Sequence, residues 1–169
     1  MLKSTIKRYR LSLGIFILGL VFSGLTAFPL LRELSILSPI LGIDDPANYA
    51  TYTGLRHWIA YVHFALIQTY ASFPFMAYGT DWLAFGHLII ALFFIGPFVD
   101  PLRNAWVLYC GLAACAAEFA LALICGPIRH IPAYWQMIDC SFGVIGSLPI
   151  FYCLYLTRKL CLEKDVEQK

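Results

Sequence analysis

Apolar residues in this chain run in long blocks rather than in the strict alternation of a half-buried strand. Five blocks stand out, over residues 11–31, 57–78, 82–99, 105–125 and 139–156. Each is near the ~20 residues an α-helix needs to cross ~30 Å of hydrocarbon. The pattern predicts an all-α fold, a polytopic membrane helix bundle forming one integral membrane domain over residues 1–169. About five transmembrane helices are expected, with four as the alternative.

The breaks between blocks carry turn chemistry. Residues 32–56 hold Ser38-Pro39, Asp44-Asp45-Pro46 and Gly54. Within this segment, residues 34–43 are apolar enough to lie along the membrane interface. Gly79-Thr80-Asp81 predicts a tight turn with Asp81 capping the next helix. Asp100-Pro101 opens another turn, and Gly126-Pro127 ends the fourth block. Pro74 lies inside the second block and predicts a kink there. Trp58, Trp82, Trp106 and Trp135 fall at or near block ends, where indole prefers the headgroup level.

Composition points the same way. Hydrophobic residues make up 60% of the chain and charged residues 13%, with a mean hydropathy of +0.74. Soluble domains carry about 25% charged residues, and a fold this small could not hide so much apolar surface from water. The first 31 residues resemble a signal peptide, but the apolar run is too long. Leu25 also occupies the minus-three position of the candidate cleavage site, where a small residue is wanted. A retained signal-anchor helix is expected, in the cell (inner) membrane.

The net charge of +2 gives no reason to expect nucleic acid as a partner. Basic residues gather at both ends: Lys3, Lys7, Arg8 and Arg10 at one, Arg158, Lys159, Lys164 and Lys169 at the other. Such clusters suit anionic headgroups. Five spans would place the two basic ends on opposite sides, whereas four would place both in the cytoplasm. The positive-inside rule therefore does not fix the orientation from sequence.

Ionisable groups inside a bilayer are costly, so each is a candidate for function. His87 lies about 14 residues before the turn at Pro101 and Glu118 about 16 after it, a depth difference of ~3 Å. A contact between them is the expected polar centre. Small residues share a helical face with each: Gly111, Ala114, Cys115 and Ala122 with Glu118, and Ala84 and Ala91 with His87. Asp139, Gly143 and Ser147 repeat the device on the fifth block. Further candidates for ligand binding or proton relay are His63, Tyr70, Asp139 and Arg129. His63 reads more readily as a hydrogen-bonded packing residue, and Arg129 with Asp139 as an interfacial salt bridge or a phosphate site.

Several chemistries lack support. The six cysteines form no C-x-x-C pair and read as packing residues. His63 and His87 differ in depth by ~12 Å, which disfavours a bis-histidine haem or a shared zinc ion. No cofactor and no metal is expected. Phosphate-loop, dinucleotide, H-E-x-x-H and G-x-S-x-G motifs are absent from the sequence. Three roles remain. The chain could bind or transport a lipophilic or small polar molecule, which is the favoured reading. It could be an intramembrane enzyme on a lipid-like substrate, with Glu118 or His87 as general acid–base. It could be an accessory subunit with a membrane partner. The lipid bilayer is the partner common to all three.

Overall fold

The computed structural model describes the backbone of residues 2–167 and the side chains of residues 2–163. Lys169 and the Lys164 side chain, counted above with the basic C-terminus, lie outside the described residues. Regular structure among the described residues is helical throughout. In chain order the helices are α1 (Leu2–Ala27), α2 (Leu30–Ile40), α3 (Gly54–Ser72), α4 (Ala77–Phe93), α5 (Ile95–Val99), α6 (Ala105–Ile128) and α7 (Ala133–Glu167). Two 3-10 turns, Pro46–Thr51 and Pro74–Met76, precede α3 and α4.

Four stretches among the described residues are long and apolar enough to cross a membrane: Leu2–Ala27, Pro74–Val99, Ala105–Ile128 and Ala133–Glu163. Their outer faces are apolar as well. Along α1, Leu11, Ile15, Leu18 and Phe22 are 66%, 62%, 67% and 70% exposed. They recur at i, i+4, i+7 and i+11, a continuous stripe. Monomeric soluble proteins rarely show an apolar patch that long, and it suits contact with acyl chains. The chain is a multi-pass membrane helix bundle.

The second apolar block folds differently from its expected outline. Helix α3 stops at Ser72, and Phe73 adopts φ −138°, ψ 72°. Proline at position 74 explains both: it disfavours helical geometry in the residue before it and cannot donate to the preceding turn. The same proline starts the following helix early. Gly79, Thr80 and Asp81 consequently sit inside α4 and not in a turn, so Asp81 caps nothing. A single glycine costs a helix only about 1 kcal/mol, too little to break one already begun.

By internal contacts the chain divides into two compact units, Met1–Leu20 with Ile90–Lys169, and Val21–Ile89. The first unit is built on the α6–α7 pair. Its core joins Tyr9 and Leu13 of α1 to Phe94, Val107, Leu108, Ile150, Cys153, Leu154 and Leu156. Phe16 meets Phe94 edge to face, ring centroids 4.9 Å apart. α1 runs antiparallel to α7. Thr5 Oγ1 donates to Glu163 Oε1 at 3.2 Å, Cys153 Sγ–H to the Tyr9 carbonyl at 3.7 Å, and Ser12 Oγ to the Pro149 carbonyl at 3.5 Å.

The second unit is held by α3. The Arg56 guanidinium donates to the Gly42 carbonyl just past the end of α2. Gly42 adopts φ +67°, a left-handed conformation glycine reaches without steric cost. Asp45 Oδ1 accepts from the Ala47 N–H at 2.9 Å and caps the first 3-10 turn. That turn lays Tyr49 against His57, Tyr61 and Phe64. The apolar segment expected at the interface is thus an ordered helix and turn folded onto α3.

Candidate functional site

The α6–α7 pair sets the geometry of the strongest candidate. Its register can be read from the glycines. A methyl group at Gly111 would lie 3.0 Å from Ile150 Cδ1, and one at Gly146 would lie 3.5 Å from Cys115 Sγ. One at Gly143 would lie 2.7 Å from the Cys115 carbonyl oxygen and 3.0 Å from Glu118 Oε2. One at Gly126 would fall within 2.6–2.9 Å of the Gln136 side chain. As residue numbers rise on α6 they fall on α7, so the helices are antiparallel with small residues at the seam.

This register brings Glu118 opposite Gly143 and Ala122 opposite Asp139. The two acids therefore sit on facing helices, about one helical turn or ~6 Å apart along the seam. Both are half-buried. A cleft of about 240 Å³ opens between them, lined by Glu118, Leu121, Ala122, Cys125, Gly126, Ile131 and Asp139. Ligand pockets for drug-sized molecules occupy roughly 300–1,000 Å³, so this cleft suits something smaller or one end of a longer molecule. Glu118 lies ten residues before the end of α6, ~15 Å along it, and Asp139 six residues into α7, ~9 Å. No Lys, Arg or His is among the lining residues.

Backbone capping closes the lower wall. The Ile131 N–H bonds to the Gly126 carbonyl at 2.9 Å and the His130 N–H to that of Pro127 at 3.1 Å. With His130 at φ +56°, this is a left-handed helix terminus of the Schellman type. Gln136 Nε2 donates to the Ile131 carbonyl at 2.8 Å and braces the same turn. Arg129 is exposed at this terminus, and among the described residues it makes no ion pair with Asp139. The expected interfacial bridge does not form, because Asp139 faces the α6 seam while Arg129 projects from the cap.

The remaining candidates lie in the second unit. His63 is 5% exposed. Its Nδ1 meets Ser38 Oγ at 2.7 Å and its Nε2 meets Ser35 Oγ at 3.3 Å. Ser35 donates its own proton to the Leu31 carbonyl at 2.8 Å, so it accepts from His63. That assigns the ring proton to Nε2 and makes Nδ1 the acceptor of the Ser38 hydroxyl. Both ring nitrogens are satisfied and tie α2 to α3. Tyr70 pairs through its hydroxyl with Thr80 Oγ1 at 3.2 Å, across the 3-10 turn at Pro74. His87 packs beside Gly24 of α1, where a methyl group would come within 3.1 Å of its Cβ, and its Nδ1 donates to the Leu83 carbonyl at 2.9 Å.

Glu118 belongs to the first unit and His87 to the second, so each is read with its own neighbours. What the structure brings together is Glu118 with Asp139, and His63 with Ser35 and Ser38. Ser35 and Ser38 are not among the candidates drawn from sequence, although their three-residue spacing on an apolar helix is a usable signal. Among the described residues no three His, Cys, Asp or Glu side chains converge as a metal-ligand set. No protein-family model, curated protein or solved structure matches the chain.

Proposed function

We propose that the protein binds, within the membrane, a small amphiphilic molecule with a cationic or hydrogen-bond-donating head. The head sits between Glu118 and Asp139, and the apolar body lies against Leu121, Ala122 and Ile131. The observation that carries this reading is that two carboxyl groups, on facing helices, line one small and largely apolar cleft. Binding of this kind could serve uptake, export or retention of the molecule.

A lipophilic amine tests it. Dodecylamine is expected to raise the thermal midpoint of the detergent-solubilised protein, and dodecanoate is not. Stabilisation by a ligand that binds only the folded state follows mass action, about 2.7 kcal/mol at a hundredfold excess over Kd. Glu118→Gln and Asp139→Asn together remove both charges and keep the shapes, and should abolish the amine effect. If the amine does not stabilise the wild type, or stabilises the double variant equally, the cleft is only a packing defect of an accessory subunit.

A further inference from the structure

The antiparallel register of the first unit settles a relation that the sequence leaves open. The Thr5–Glu163 hydrogen bond and the Tyr9–Cys153 and Ser12–Pro149 contacts bring the start of α1 and the end of α7 side by side. The turn before α6 belongs to the same end, because the Arg10 guanidinium lies 5.9 Å from the centre of the Phe98 ring. Lys3, Lys7, Arg8, Arg10, Arg103, Arg158 and Lys159 are all exposed there, and among the described side chains they face two acids, Asp100 and Glu163. At the opposite end of this unit, around the α6–α7 turn, Arg129 is the counterpart.

Height along the bundle matters as much as charge. Helix α6 is 24 residues long, ~36 Å, enough to cross the hydrocarbon once. By register, Arg10 pairs with α7 near residues 151–152 and lies about one helical turn inside the start of α6, which is level with residue 156 of α7. Residues 157–163 of α7, with Thr5 beside Glu163, continue past that start for ~10 Å, the depth of a headgroup layer. Trp106 and Tyr155, 62% exposed each, lie just below, where aromatic residues mark the interface. Lys3, Lys7 and Arg10 share one stripe at i, i+4 and i+7.

We infer that this end of the first unit is a basic collar that faces the cytoplasm and holds anionic phospholipid headgroups. Among the described side chains of this unit, seven exposed cations lie at one end and one at the other, an asymmetry of the kind that orients short-looped membrane proteins, and the start of α1 and the end of α7 take the cytoplasmic side with it. Clusters of four to eight Lys and Arg beside a membrane span attract anionic lipid, at roughly fivefold in affinity per residue.

Native mass spectrometry of the full-length protein with dioleoyl-phosphatidylglycerol and dioleoyl-phosphatidylcholine at equal concentration tests the collar. The wild type is expected to retain phosphatidylglycerol in preference. The quadruple variant Lys3→Gln, Lys7→Gln, Arg158→Gln, Lys159→Gln should lose at least about tenfold of that preference, and Arg129→Gln should keep it. High salt should erase the preference in the wild type, because exposed charges are screened. Equal retention of the two lipids by the wild type overturns the inference. So does a preference that survives the quadruple substitution, or one that inorganic phosphate competes away.

Discussion

The sharpest consequence of the α6–α7 register concerns Gly143. Replacing it with alanine adds one carbon 2.7 Å from the Cys115 carbonyl oxygen, 3.0 Å from Glu118 Oε2 and 3.1 Å from Phe119 Cε2. The first of these is backbone and cannot rotate away, so the helices must separate. Overpacking of this kind costs typically about 1–3 kcal/mol. It is set against the gain of about 0.5–1 kcal/mol that alanine brings to a helix interior. Gly19 and Gly86 provide the control, since a methyl group at either meets no heavy atom within 4 Å. Gly19→Ala and Gly86→Ala should be neutral or stabilising. Gly143→Ala should lower the thermal midpoint by several degrees, at about 2–4 °C per kcal/mol for a chain of this size. Circular dichroism in detergent, with the three variants run together, reads the difference. If Gly143→Ala melts with Gly86→Ala, the two helices do not approach as described, and the placement of Glu118 opposite α7 fails with them.

Other consequences are separable. Ser38→Ala strips the partner from His63 Nδ1 in a site where Ser38 is 2% exposed. It should cost about 1–3 kcal/mol by the same thermal assay, while Ser35→Ala, at the more open end of the ring, costs less. His130→Gly relieves a side chain at φ +56° and should stabilise the chain by up to about 1 kcal/mol. Fluorescent-protein fusions should fluoresce at either chain end, and alkaline phosphatase fusions should be inactive at both; an active phosphatase at one end refutes the shared cytoplasmic side.

Much of the architecture is legible in the sequence because lipid imposes a simple rule: apolar runs of spanning length become helices. The start of α6 and the turn at residues 101–104 follow from Asp100-Pro101, whereas Gly126-Pro127 does not end α6, which runs on through both to Ile128. Of the small residues around Glu118, Gly111, Cys115 and Ala122 line a helix seam and Gly143 answers them from the other side, whereas Ala114 is exposed. The identity of the neighbouring helix is not legible. Depth arithmetic across a turn places Glu118 at a level, but every helix that crosses that level is an equal candidate. Asp139 is visible as an acid beside Gly143, yet its facing of Ala122 depends on a register that only packing decides. Helical spacing groups His63 with Ile67, Tyr70 and Pro74, of which Pro74 falls beyond the end of α3. Its true partners, Ser35 and Ser38, belong to a segment whose helicity comes from docking on α3 rather than from propensity. The turn expected at Gly79-Thr80-Asp81 is absent because Pro74 has already begun the helix.

Occupancy of the cleft between Glu118 and Asp139 is the central claim, and Cys125 reports on it directly. Cys125 lines the cleft, whereas Cys110 and Cys161 are exposed elsewhere. The rate of alkylation of each by N-ethylmaleimide can be followed by peptide mass spectrometry with and without dodecylamine. Protection of Cys125 alone, lost in Asp139→Asn, is the predicted result. Cys125 reacting at one rate under both conditions, or all three cysteines slowing together, contradicts it.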